Sequence, residues 1–181
     1  MTTIHSARAT GWRIVALALL LLVQDAGAER RFTELGAGRG LDANVAVSLL
    51  VDRDGLLWVG SREGLFRYDG YQATPLLPDA DRPGSVSDLD IRALYEARDG
   101  ALWVSTNTGG LNRRDPRSGE FTQYHHDSGD PRSLSDASVY GVAEDAEGRI
   151  WVGTQHGLNR LEADGRSFTR FFHADGDAAS L

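Results

Sequence analysis

His125-His126 is the stretch of this chain nearest to a metal-binding motif, and Asp52-Arg53-Asp54-Gly55 is nearest to a cation-binding loop. Neither spacing supports the chemistry. Adjacent histidines need further ligands at a recognisable separation to hold a transition metal, and here they run on into Asp127-Ser128-Gly129-Asp130-Pro131, the composition of an exposed linker. A calcium loop needs oxygen ligands that continue past its glycine to a bidentate Glu, whereas Gly55 leads directly into Leu56-Leu57-Trp58. The chain has no Gly-x-Ser-x-Gly elbow, no phosphate-cradling glycine loop and no cysteine. Carboxylates are abundant, but no pair is singled out by its position. The sequence therefore assigns no catalytic residue, no metal ligand and no cofactor.

A different set of polar residues stands at matched positions. Arg62-Glu63, Asn107-Thr108 and Gln155-His156 each follow a Trp-Val segment and precede a Gly-Leu pair. Side chains that change chemistry at one fixed backbone position are what a ligand-binding surface requires. These six are the candidate ligand-binding residues; the alternative for each is a solvated loop tip.

The matched positions exist because the chain repeats. GLLWVGSREGLFR (55–67), GALWVSTNTGGLNR (100–113) and GRIWVGTQHGLNR (148–160) are three versions of one segment, the second with an inserted Gly109. Trp58, Trp103 and Trp151 recur at intervals of 45 and 48 residues, a period typical of repeat architectures. Each unit opens with a short apolar run rich in β-branched and aromatic residues (45–52, 90–97, 138–145). A turn with Gly55, Gly100 or Gly148 follows, then the Trp segment, then a strand opened by Gly64-Leu65, Gly110-Leu111 or Gly157-Leu158. FTQY (121–124) and FTRFF (168–172) supply a fourth strand, with YQATPL (71–76) as its degenerate counterpart.

Four short strands per repeat, apolar on both faces, predict an all-β propeller of four-stranded blades. Trp58, Trp103, Trp151, Gly64, Gly110 and Gly157 are its expected structural core positions. Three blades do not close a ring by themselves, and Ser180-Leu181 repeats the Ser133-Leu134 linker. The expectation is thus an N-terminal fragment of a larger ring, one that self-associates or is unstable alone. The blades are expected at 38–83, 84–131 and 132–179, with a fourth repeat starting at 180.

Residues 1–28 read as a signal peptide. Arg8 and Arg13 precede the uninterrupted apolar run 14–23, and Ala26-Gly27-Ala28 forms the cleavage site. Ten apolar residues are too few to span a bilayer, which takes about 20. A lead-in (29–37) joins the leader to the repeats. A formal charge of −7 leaves no basic footprint for nucleic acid or an anionic membrane surface. The absence of cysteine suits an exported chain that needs no disulfide.

Asp-x-x-Gly-x-[Ile/Leu]-Trp-Val-Gly-[Ser/Thr], then Gly-Leu-x-Arg, Phe-Thr-x-[Tyr/Phe] and Ser-Leu-Ser-Asp together resemble the two-component regulator propeller repeat over roughly residues 38–181. Ser105 departs from the glycine of that pattern, Gly109 is an insertion, and the first copy lacks a clear Phe-Thr-x-Tyr. The resemblance implies the extracytoplasmic, periplasmic ligand-sensing module of a membrane-anchored and dimeric receptor. Its ligand would be a small molecule or carbohydrate, and any histidine kinase or diguanylate cyclase output would lie in other sequence. The alternatives are a periplasmic propeller enzyme such as a lyase and a protein-binding scaffold.

Overall fold

A computed structural model describes residues 46–177 and 180–181; the expected leader, the lead-in and the start of the first repeat lie outside the described residues. Twelve strands follow one another along the chain. The first sheet contains β1 (Ala46–Val51), β2 (Leu57–Ser61), β3 (Leu65–Tyr68) and β4 (Ala73–Leu76). The second contains β5 (Ile91–Glu96), β6 (Leu102–Thr106), β7 (Leu111–Arg114) and β8 (Phe121–Tyr124). The third contains β9 (Val139–Glu144), β10 (Ile150–Thr154), β11 (Gly157–Leu161) and β12 (Phe168–Phe171). Each sheet is an antiparallel meander with its strands in sequence order. Successive sheets pack through β1, β5 and β9, which therefore form the inner edge of a blade array. The fold is a β-propeller segment of three four-stranded blades.

Two apolar cores lie between sheets. Trp58 and Leu65 of the first blade meet Ile91, Leu102, Val104 and Phe121 of the second. Trp103, Leu111 and Tyr124 of the second meet Val139, Ile150, Val152 and Phe168 of the third. Aromatic rings carry the second core outward: Trp103 stacks on Tyr124 at 5.8 Å, and Tyr124 meets Phe168 edge-on at 5.6 Å. Trp58 and Trp103 are buried, whereas Trp151 is half-buried and tilts against Phe171.

The repeated residues now have individual roles. Arg67, Arg113 and Arg160 are the direct cross-strand neighbours of Trp58, Trp103 and Trp151. Arg113 and Arg160 lie 6.0 Å over the indoles of Trp103 and Trp151 while pairing with Asp99 and Glu162 at 2.7 and 2.9 Å. In the second and third blades the Gly-Leu-x-Arg pattern thus places a cation where it covers the tryptophan and still reaches a carboxylate, whereas the cation over Trp58 is Arg114 of the next blade, at 5.2 Å.

The Ser-x-Ser-Asp linker divides its work among four positions. Ser85 and Ser133 fold the linker onto itself, each hydroxyl accepting from and donating to the backbone of Asp79 or Asp127. Val86 and Leu134 enter the cores. Ser87 and Ser135 bind a buried asparagine of the third strand. Asn112 Oδ1 accepts from Ser87 N at 2.9 Å and its Nδ2 donates to Ser87 Oγ at 2.8 Å, and Asn159 repeats both bonds with Ser135 at 2.8 and 2.9 Å. The first blade has Phe66 at this position. The role of Asp88 and Asp136 belongs to the functional face.

At the opposite end, the hairpin turns link consecutive blades. Arg53 Nε reaches Glu96 Oε1 at 2.7 Å and its Nη2 reaches the Ala97 carbonyl at 2.7 Å. Arg98 does the same one blade on, its backbone N–H donating to Glu144 Oε2 at 2.8 Å and its Nη2 to the Asp145 carbonyl at 2.8 Å.

Candidate ligand-binding face

In a four-stranded meander the β2–β3 loop and the linker to the next blade emerge at the same end. Asp88 and Asp136 lock the two together. Asp88 Oδ2 accepts from Thr108 N, Thr108 Oγ1 and Gly109 N at 2.9, 2.8 and 3.1 Å. Burial works to raise the Asp88 pKa, but the Thr108 hydroxyl and surrounding amides outweigh it and hold the carboxyl below its ordinary value. Asp136 Oδ2 meets His156 Nδ1 at 2.7 Å, and its pKa is likewise lowered: against burial act the Ser138 amide and the histidine. The inserted Gly109 is required here, because an added Cβ would stand 2.5 Å from Ser87 Oγ and 2.8 Å from Asp88 Cβ.

Of the six candidate residues Asn107 is half-buried and the other five are exposed. The side chains of Asn107, Thr108 and His156 are engaged by Arg92, Asp88 and Asp136 respectively. Arg62, Glu63 and Gln155 are exposed, and the Gln155 backbone is held by its N–H to the Ser138 carbonyl at 3.0 Å. Of the histidine pair, His126 Nδ1 lies 2.7 Å from the Leu134 carbonyl and His125 Nε2 lies 3.2 Å from Gln123 Oε1.

The residues that sequence reasoning missed lie on the inner strands. In every blade the pairing of the first strand with the second breaks once near its start. The break falls between Ala46 and Ser48, between Ile91 and Ala93, and opposite Gly153 and Thr154, where the partners are Gly141 and Val139. The residue left over in each bulge is Val47, Arg92 or Tyr140. A β-bulge breaks the alternation of side chains and re-aims one of them. Val47 and Tyr140 are 46% and 52% exposed, and Arg92 is half-buried between them in chain order. Arg92 donates from Nε to Asn107 Oδ1 at 3.1 Å, bonds the same oxygen through Nη2, and lies 5.0 Å over the Tyr140 ring. The cluster thus spans two blades. A signal existed in the sequence: the second inner-strand position changes from Val to Arg to Tyr while its neighbours Ala46, Ile91 and Val139 stay apolar.

A polar groove of about 410 Å³ also lies on the flank between the second and third blades. Gln123, His125, Arg132, Ser133, Asp164 and Arg166 contribute to its wall. Its charges are partly matched internally, with Arg132 Nη2 at 3.2 Å from Asp164 Oδ2 and 2.6 Å from Ser167 Oγ. Among the described residues, no group of three or more His, Asp or Glu side chains is placed to hold a metal ion.

The two-component regulator propeller model matches residues 40–63, 85–108 and 133–156. The second and third matches run from a linker through an inner and a second strand to the candidate loop residues, and the described part of the first covers the same two strands and loop. The chain carries three two-component regulator propeller repeats. No curated protein matches this repeat chain in sequence. Among solved structures it is similar to the extracellular domain of a hybrid two-component system from B. thetaiotaomicron, at 25% identity and a TM-score of 0.70, over 77% of this chain and 20% of that one. It is also similar to virginiamycin B lyase from Staphylococcus aureus, at 18% identity and a TM-score of 0.54, over 72% of this chain and 42% of that one. A bacterial surface component of the type-IX secretion system of Porphyromonas gingivalis resembles it at 20% identity and a TM-score of 0.52, over 76% and 19% of the two chains. The repeat chain therefore spans about a fifth of the length of the two-component structure. At their identities, the likeness to the lyase and to the secretion component is one of fold.

Proposed function

We propose that these repeats form part of an extracytoplasmic ligand-sensing propeller of a membrane-anchored signal-transduction receptor, acting in the periplasm after export by residues 1–28. The observation that carries this reading is the combination of the repeat match with the similarity to an extracellular two-component domain. In this reading further blades continue the ring. The apolar residues Leu49 and Val51 of β1 are exposed, whereas Leu94, the counterpart of Leu49, packs into the core between the first two blades. The segment itself senses and does not catalyse; a kinase or cyclase output belongs to other sequence. The signal is a small molecule or carbohydrate bound at the loop face, and the whole receptor acts as a dimer.

Fusion of residues 1–181 to alkaline phosphatase, which is active only after export, tests the localisation on which this role depends. Activity that disappears when residues 1–28 are deleted is the expected result. A fusion that stays inactive in cells while its protein accumulates would remove the sensing role.

A further inference from the structure

The bulge residues of the inner strands carry a chemistry of their own. Arg53, Arg98, Arg113, Arg149 and Arg160 each have a carboxylate oxygen within 3.8 Å. Arg92 is half-buried, yet among the described residues no carboxylate pairs with it. Its protein partners are the neutral amide oxygen of Asn107, which takes Nε and Nη2, and the face of Tyr140. Such partners orient a guanidinium without neutralising it, and a partly desolvated cation left unpaired is costly unless a counter-charge arrives. Nη1 has no protein acceptor among the described residues, so one edge of the fork remains open.

Beside this charge lies an aromatic surface. Tyr140 is 52% exposed, and Val47 offers a 46% exposed apolar side chain at the same bulge position of the first blade. Regular strand pairing would have needed no extra residue at any of these three places. Its recurrence in all three blades puts Val47, Arg92 and Tyr140 at one level of the inner edge, beside the loop carrying Asn107.

We propose that Arg92, Tyr140 and Asn107 form a binding site for a small carboxylate with an aromatic body. The carboxylate takes the open edge of the Arg92 fork in a charge-assisted pair, and the ring of the ligand packs against Tyr140. Asn107 fixes the guanidinium plane. The chain is acidic overall, with a formal charge of −7, so long-range steering does not draw anions in and the selectivity must be local. This assignment rests on the sensing role proposed above and names its ligand class.

Benzoate and its neutral isostere benzamide are the probes, titrated into the 181-residue chain with NMR chemical shifts of the Asn107 side-chain amide and the Tyr140 ring as readout. Benzoate binds at least tenfold more tightly than benzamide, a difference of about 1.4 kcal/mol. Arg92→Gln abolishes that preference, Arg92→Lys keeps part of it, and Tyr140→Ala weakens both ligands. In a sample whose dispersed amide shifts show the blades folded, equal affinity of the unaltered protein for the two probes, or no benzoate binding at millimolar concentration, overturns the site without recourse to any variant. If neutral sugars bind while benzoate does not, this inference falls and the sensing role stands. If export fails, the sensing role falls whatever benzoate does.

Discussion

Trp58 donates its indole N–H to Asp52 Oδ2 at 2.7 Å, six residues back across the hairpin, and Trp151 makes the same 2.7 Å bond to Asp145. Each aspartate also accepts two turn amides through Oδ1: those of Asp54 and Leu56 for Asp52, and those of Glu147 and Arg149 for Asp145. One carboxylate therefore shapes the hairpin and satisfies the indole N–H. In the second blade the position is Ala97, and Trp103 Nε1 is buried with no hydrogen-bond partner.

Ala97→Asp should therefore stabilise the protein. A buried donor left unsatisfied costs about 1–3 kcal/mol, and a made bond contributes on the order of 1 kcal/mol. Denaturant unfolding should show a gain of about that size, and the gain should disappear in a Trp103→Phe background. A loss of stability, or a gain that persists without the indole nitrogen, would show that the missing aspartate is not the cause.

Asn112→Ala should destabilise by about 1–2 kcal/mol, because it strips a half-buried backbone N–H and a hydroxyl of Ser87 of their partner at once. Asn159→Ala should behave alike through Ser135. Hydrogen exchange at the Ser87 and Ser135 amides offers the local measurement. Protection there that survives both substitutions would contradict the assigned role.

Gly60 lies where a Cβ would come 2.6 Å from Ile91 Cγ2 of the next blade. Gly60→Ala should cost about 1–3 kcal/mol by overpacking. Gly141, where an added Cβ meets nothing within 4 Å, should accept alanine with little change. Comparison of the two unfolding midpoints decides between a packing effect and a general intolerance of glycine replacement.

Asp164 lines the flank groove, and its pKa is lowered to about 2. The Ser167 hydroxyl is the largest cause, followed by the Ser167 and Arg166 amides; burial opposes them, and Arg132 adds a lowering effect smaller than that of burial. Because the folded value lies below the ordinary 3.8, this group contributes stability that is fully present above the unfolded pKa. That contribution is lost as pH falls through about 2. Wild type should lose stability between about pH 4 and pH 2 more steeply than Asp164→Asn. Parallel profiles for the two proteins would show that Asp164 has no such linkage.

Much of the architecture was legible because it is local. The Trp register, the turn glycines and the short apolar runs specify strands and hairpins over a few residues, and their recurrence in the same order specifies blades. Gly60 and Ser105 occupy the same slot, and only the partner across the blade interface explains the glycine. Gly60 faces Ile91 at a distance that excludes a side chain, while Ser105 fits with its hydroxyl buried and unpartnered.

The candidate face divides along the same line. The sequence by itself determined which loops share an end of the blade, since a meander of known strand count allows one arrangement. The tertiary structure alone decided that Asp88 and Asp136 bind Thr108 and His156, contacts between residues 20 apart. It alone decided that Arg92 meets Tyr140, 48 positions later, through a bulge in each of two strands. Composition and periodicity report which side chains a strand presents. A bulge changes where one of them points, and that direction depends on pairing between strands and packing between blades.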